Sequence, residues 1–256
     1  MKESTTFNSL EQVKPLVAVS IDVEQSFAPD PKAFEESVQS MLAAFSARGW
    51  KVTCFVEGDV AAQIPGLLKT LAEAGHEVGC HGFVHQDQRM LSPEELGADV
   101  DRALEQFAGE GVECVGYRSP FFLRHPGLDK ILGEREVPYD SSCPRIWFPG
   151  RYDYRSLPQG PHRGPEGVLQ VPVGRVRPWL PYSIEHHKAL KFLFPSDIPG
   201  ESQVLYGHSY SFGEGFNRPF FNRKNNLEST LESMESLTTG ARIGTIGDLL
   251  RECSPV

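Results

Sequence analysis

Short apolar runs of strand type alternate with helical apolar stripes along nearly the whole chain, and no other feature restricts the fold as much. Leu16–Ile21 (LVAVSI) is β-branched and apolar, as a buried strand requires. Phe34, Val38, Met41, Leu42 and Phe45 then recur at helical spacing, which predicts a helix over Pro31–Gly49 with Gly49 as its stop. Lys51–Val56 reads as a second strand. Ile64, Leu67, Leu68 and Leu71 form the next stripe, and His76–Cys80 the third strand. Ser92-Pro93-Glu94-Glu95 is a capping box with proline at the first helical position. Further strands are predicted at Glu113–Tyr117, Val137–Tyr139, Val168–Val173 and Gln203–Gly207. Helices are predicted at Ser183–Phe194 and around Leu227, Leu231, Met234 and Leu237. Such alternation means parallel strands covered by helices, hence one α/β domain over residues 16–256 behind a flexible segment of residues 1–15. Three stretches escape the pattern, one of them the loop Ser209–Arg223 after His208, which carries four phenylalanines. Ser141–Pro165 is irregular and rich in Pro, Gly, Arg and aromatics, and Arg175–Tyr182 (RVRPWLPY) is interrupted by proline. Long irregular stretches inside compact domains are usually functional.

The residues able to do chemistry collect where strands end. Asp22 and Glu24 follow the first strand at alternate positions, so an extended backbone turns both carboxylates the same way. His81 and His85 follow the third strand, four residues apart, a spacing that lets two imidazoles face one divalent ion if the segment turns once. Arg118 follows the fourth strand, Asp140 the fifth and His208 the seventh. Taken singly, each could be an ordinary capping or loop residue. Taken together, all lie at the carboxyl ends of strands, the rim on which parallel barrels and doubly wound sheets build their sites.

The ordered series Asp22-x-Glu24, His81-x-x-x-His85, Arg118-x-Pro120-Phe121, Tyr139-Asp140-Ser141-Ser142 and Leu205-Tyr206-Gly207-His208 resembles the polysaccharide deacetylases of the NodB-homology type, the carbohydrate esterase family 4-like enzymes. The resemblance runs from about Leu16 to Leu250. It implies a distorted (β/α)7-type barrel and hydrolysis of N-acyl groups, mostly on amino sugars, with one bound divalent metal, most often zinc. By this resemblance Glu24, His81 and His85 are the metal ligands and Asp22 the general base. Arg118 lines the site and holds Asp22 or the substrate. His208 is the general acid, oriented by Asp140. A backbone N–H near Phe121, after Pro120, would serve as an oxyanion donor, and Trp179 and Tyr182 offer flat faces for the substrate. Two departures stand out. Glu24 occupies a ligand position that is commonly aspartate, and Cys143 stands near where a tryptophan is usual. The Asp-x-acid form and the Tyr-Asp-Ser-Ser run are similar to the branch that holds deformylases of lipid-linked aminoarabinose and cyclic-amide hydrolases related to allantoinase.

Composition narrows the partners. A formal charge of −9 and the lack of any basic run argue against nucleic acid. No apolar run approaches the ~20 residues of a transmembrane helix, and the polar N-terminus lacks a signal-peptide core, so a cytoplasmic location is expected. The five cysteines form no CxxC pair, which points to neither a disulfide framework nor a zinc ribbon. The expected activity is metal-dependent N-deacylation, a deacetylase or deformylase, of an amino sugar that is free, lipid-linked or nucleotide-linked, by a protein in which oligomerisation is allowed. The alternatives are a cyclic amide or ureide hydrolase and an inactive carbohydrate-binding relative.

Overall fold

A computed structural model describes residues 14–25, 31–195, 203–213 and 226–253. Most of the predicted N-terminal segment and of the loop after His208 therefore lies outside the described residues. Strand β1 (Leu16–Val23) is buried at every position. On one side it pairs in parallel with the strand Gln203–His208, and on the other its upper half pairs with β2 (Thr53–Val56). β3 (Glu77–Cys80) follows β2 in parallel. Single parallel bridges continue from Cys80 to Tyr117 and from Tyr117 to Asp140. β4 (Tyr139–Asp140) then pairs with the strand Leu169–Gln170, and Val173 bridges Val204 to return to the start. Seven parallel segments thus close a ring, the distorted (β/α)7-type barrel expected. A further strand, Arg242–Gly244, pairs with the lower half of β1, outside the seven.

The helices form where the stripes predict them. Helix α1 (Pro31–Arg48) buries Phe34, Val38, Met41 and Phe45, and Gly49 leaves it at φ 64°, a value that glycine adopts without strain. Helices α2 (Gly58–Gln63) and α3 (Leu67–Glu73) fill the next crossover. Helix α4 (Pro93–Glu110) opens on the reciprocal capping box: the Glu95 N–H donates to Ser92 Oγ at 3.2 Å and the Ser92 N–H to Glu95 Oε2 at 2.7 Å. Helices α5 (Leu128–Glu134), α6 (Ile184–Leu190), α7 (Leu227–Leu237) and α8 (Ile246–Glu252) complete the described layer.

The structure departs from expectation where strands are short. The segment predicted as a strand over Glu113–Tyr117 forms ladder bridges only at Tyr117, although the Val115 N–H still donates to the Val78 carbonyl at 3.1 Å. The predicted helix Ser183–Phe194 ends early, and Lys191–Leu193 tightens into a 3-10 turn. The irregular stretches 141–165 and 175–182 carry small antiparallel pairs: Trp147–Phe148 with Tyr152–Asp153, His162–Arg163 with Leu169–Gln170, and Arg175–Arg177 with Leu180–Pro181. Two-residue strands bury too little for periodicity to show in sequence.

Two clamps fix the end of the last barrel strand. Ser37 on α1 donates to the Ser209 carbonyl at 2.5 Å, and Thr230 on α7 donates to the Ser211 carbonyl at 2.5 Å. Phe45 meets Phe212 edge to face, with ring centroids 5.3 Å apart. The turn carrying His208 is therefore held from two helices, which links core packing to the position of a functional imidazole.

Candidate active site

Glu24, His81 and His85 meet at one end of the barrel, each offering one ligand atom within 4.8 Å of the others. The local backbone explains why. The His81 N–H donates to the Val56 carbonyl at 2.9 Å, which continues the β2–β3 ladder to the rim. Gly82 then turns at φ 74°, where a side chain would be strained. The Asp99 carboxylate accepts the N–H groups of Phe83 (2.9 Å) and Val84 (3.2 Å), and Glu57 accepts that of His85 (2.9 Å). The turn returns His85 toward Glu24, with Nε2 2.5 Å from Oε2.

His81 Nδ1 lies 2.8 Å from the Arg118 carbonyl oxygen. A carbonyl only accepts, so Nδ1 carries the hydrogen and Nε2 presents a lone pair. That buried Nε2 has no hydrogen-bond partner among the described residues, although Glu24 Oε2 is 3.5 Å away and Asp22 Oδ2 4.0 Å. An unpartnered buried lone pair facing a carboxylate is what a cation would satisfy, and one oxygen with two imidazole nitrogens is a donor set suited to zinc and similar divalent ions. Burial works to raise the Glu24 pKa, but the imidazoles of His81 and His85 and the charge of His208 outweigh it and hold the carboxyl well below its usual range. Glu24 therefore stays ionised, as a ligand must. Burial, followed by the charges of Asp59 and Glu24, pushes neighbouring Glu57 up to about 8.

Arg118 is fully buried and holds Asp22, as one of its two expected roles requires: Nη1 donates to Asp22 Oδ1 at 2.7 Å, while Nε and Nη2 donate to the carbonyl and hydroxyl of Ser141 at 3.1 and 2.9 Å. Its guanidinium also lies 4.2 Å from the Phe55 ring centroid. Asp22 and His208 are register partners on adjacent parallel strands. Their side chains thus leave the sheet on the same face.

The expected pairing of His208 with Asp140 is not found. The carboxylate of Asp140 is taken by Arg124 Nε (2.7 Å) and by the Ser142 N–H (2.9 Å) and hydroxyl. His208 Nδ1 instead lies 3.2 Å from Glu185 Oε1, at ion-pair distance, and the His208 N–H donates to the same oxygen at 3.0 Å. Ser211 and Ser183 donate to the two Glu185 oxygens at 2.7 and 2.9 Å. The Tyr210 ring stacks on His208 at 4.7 Å. Sequence reasoning missed Glu185 because it sits in the first turn of α6, and only closure of the barrel brings it to His208. Its one local trace is Ser183-x-Glu185 at that helix start.

Tyr182 is also corrected. It is buried, its hydroxyl donates to the Leu237 carbonyl, and it packs in the core instead of facing the rim. Trp179 is exposed. Pro120 is buried, and Phe121 is partly exposed with its ring 4.2 Å from that of His85. Phe121 and Phe122 both have positive φ, 55° and 59°, a strained backbone of the kind that clusters at functional sites. Cys143 is buried, and burial, then the Asp140 charge, pushes its thiol up to about 12, so it offers no thiolate nucleophile.

This geometry can be set beside known proteins. The polysaccharide deacetylase family profile matches residues 12–128. These residues hold the first three motifs, Asp22-x-Glu24 through Arg118-x-Pro120-Phe121. The uncharacterised protein YlxY of Bacillus subtilis (strain 168) is 30% identical over 114 residues, 44% of this chain and 32% of that protein, so the chain matches about a third of that relative's length. Among solved structures, a provisionally named polysaccharide deacetylase from Mycobacterium smegmatis superposes with a TM-score of 0.67 at 17% identity, over 98% of this chain and 93% of that one. PuuE allantoinase superposes with a TM-score of 0.64 at 15% identity, over 94% and 91%. At such identities the structural likeness shows the shared fold. That fold extends the polysaccharide deacetylase architecture beyond the profile's end, through the strand that carries His208.

Proposed function

We propose that this protein is a divalent-metal-dependent N-deacylase, a deacetylase or deformylase, acting on an amide of an amino sugar. The observation that carries the reading is the arrangement of Asp22 and His208, in register on adjacent strands, beside the Glu24–His81–His85 set with its unpartnered imidazole nitrogen. Glu24, His81 and His85 would hold the ion, which when bound supplies Lewis acidity toward a water molecule and the substrate carbonyl. Zinc suits this donor set best.

The remaining steps fall to the protein's own groups. Arg118 occupies Oδ1 of Asp22, so Oδ2, turned toward His81, is the oxygen that accepts the proton of the attacking water. The Arg118 charge also keeps that carboxylate oriented. The Phe121 N–H, on the strained turn beside His85, is the candidate donor to the developing oxyanion. His208 gives its proton to the departing amine, which leaves a tetrahedral centre poorly unless protonated. Glu185 lies at ion-pair distance from His208 Nδ1 and accepts the His208 N–H, the place expected of Asp140 from sequence. Asp140 instead braces the rim through Arg124 and Ser142.

The fold shared with PuuE allantoinase supports a second reading, hydrolysis of a cyclic amide or ureide. A cytoplasmic location and a lipid- or nucleotide-linked substrate remain part of the proposal; no helix among the described residues is long and apolar enough to cross a membrane. The test is release of acetate and formate from a panel of N-acyl amino sugars, run beside allantoin and related cyclic ureides. Acyl release that stops on chelation and returns with metal supports the deacylase. Turnover of the cyclic compounds alone would transfer the assignment to the second reading.

A further inference from the structure

The chain as a whole is acidic, yet residues 141–182 hold six arginines, no lysine and only two acidic residues, Asp153 and Glu166. The same stretch is where the aromatic surface concentrates. Among the described residues the exposed aromatics are Phe121, Trp147, Phe148, Trp179 and Phe192. Phe121 and Phe148 flank Arg151 beside the candidate metal site, whereas Trp147, next to Phe148 along a strand and so on the other face, has the Arg155 guanidinium 5.7 Å from its ring centroid. The Phe121 ring touches His85. The Arg151 guanidinium lies 5.9 Å from the Phe121 ring centroid and 5.1 Å from that of Phe148. Trp147 is next in the hairpin, and its N–H donates to the Pro178 carbonyl at 2.8 Å, which ties the hairpin backbone to the 175–181 segment.

The charges around Arg151 are accounted for. Asp87 is gripped by Arg89 through Nε (2.9 Å) and Nη2 (2.7 Å), and Asp153 by Arg155 through Nε (2.8 Å) and Nη2 (2.6 Å). Arg89 Nη1 also donates to the Arg151 carbonyl at 3.0 Å and fixes that backbone. Among the described residues no carboxylate pairs with Arg151 itself. An arginine resting on an aromatic ring is often only a brace for a loop. A brace, however, does not require two exposed aromatic rings around a guanidinium that no carboxylate among the described residues pairs with, at the mouth of a buried site. Flat apolar faces suit a sugar ring, and the guanidinium fork suits phosphate or carboxylate oxygens.

We propose that Arg151 and the two rings beside it form a substrate subsite for an anionic group: the substrate is an N-acyl amino sugar bearing a phosphate or carboxylate that Arg151 receives while the sugar ring rests on Phe121 and Phe148. This rests on the deacylase reading for the identity of the sugar, but the subsite can be tested without turnover. Trp147 adjoins Phe148 in the hairpin, so intrinsic fluorescence reports binding. N-acetylglucosamine, its 1-phosphate and the corresponding 6-carboxylate (uronic acid) would be titrated into wild type and Arg151→Gln, with inorganic phosphate as control and circular dichroism to verify folding. At least one anionic sugar should bind wild type about tenfold or more tighter than the neutral one, with a preference that weakens as salt rises. Whichever anion gains identifies phosphate or carboxylate as the group received. In Arg151→Gln the ratio should fall to near one. Equal binding of neutral and anionic sugars to wild type, or a ratio that survives Arg151→Gln, overturns the proposal. Preference intact but no acyl release from any sugar would preserve the subsite and refute the deacylase reading instead.

Discussion

His81 illustrates how one side chain is prepared by the backbone around it. A carbonyl of the neighbouring strand fixes its tautomer and aims the free nitrogen at Glu24. His81→Ala and His85→Ala are expected to lose the metal while retaining the fold, because each removes one of three ligands and neither side chain supports a helix. Dialysis against trace zinc followed by metal analysis checks this, and full retention in both variants would exclude the assigned ligands. Asp22→Asn should keep the metal and lose turnover by about 10²-fold or more, as removal of a general base does. Glu185 and Asp140 separate in the same manner. Glu185→Gln should lower kcat by roughly tenfold or more, since it removes the carboxylate that lies at ion-pair distance from His208 Nδ1. Asp140→Asn should act mainly on stability, by about 1–3 kcal/mol, because Arg124 keeps Asp129 as a partner. Chemical denaturation and steady-state kinetics on both variants decide the matter; the reverse pattern would restore Asp140 as the partner of His208. The sequence makes Asp22, Glu24, His81, His85, Arg118 and His208 visible because each ends a run of recognisable type. Glu185 was hidden because its partner lies 23 residues away across a closed barrel.

At the scale of elements, helices were easier to read than strands. The stripe of α1 and the capping box of α4 are written in spacing and side-chain chemistry, and both appear where expected. Barrel segments of one or two ladder positions, such as Tyr117 and Tyr139–Asp140, leave almost no periodic trace. Tyr182 misled for a related reason: an aromatic in a proline-broken stretch looks like a groove wall, and only the course of the 175–181 hairpin turns it inward onto α7. The turn at residues 82–85 depends on α4 through Asp99, which accepts two of its N–H groups. Asp99→Ala should therefore weaken metal retention by about tenfold or more without touching a ligand, as loss of outer support does. Competition with a chromophoric chelator measures this, and unchanged affinity would show that the turn holds without α4. Trp179→Ala should raise KM on the true substrate with a smaller effect on kcat, and an unchanged KM would remove Trp179 from the groove.

At the scale of the whole molecule, acid stability and metal content are the informative measurements. Burial, with Lys51 nearby, lowers His76 to about 4, and burial, with Lys191 nearby, lowers His187 to about 4, both from an ordinary 6.5. The unfolded chain thus binds more protons than the folded one between those values. The stability these rings contribute is complete above pH 6.5 and is lost as pH falls toward 4, at about 1–2 kcal/mol each once solvent screening is allowed for. Urea midpoints of wild type and His76→Gln/His187→Gln from pH 7 to 4.5 should show a shallower decline in the double variant, and identical slopes would assign the decline to other groups. The α/β class was legible because alternation runs the length of the chain, whereas ring closure through Val173 and Val204 rests on a single bridge that no local pattern announces. The central claim is that Glu24, His81 and His85 hold one catalytic divalent ion. Elemental analysis of purified wild type and Glu24→Gln, each paired with acyl-release activity, tests it most directly. Wild type should hold close to one equivalent of metal and be active, and Glu24→Gln should show little of either; an active wild type free of metal, or full occupancy in Glu24→Gln, would contradict the assignment.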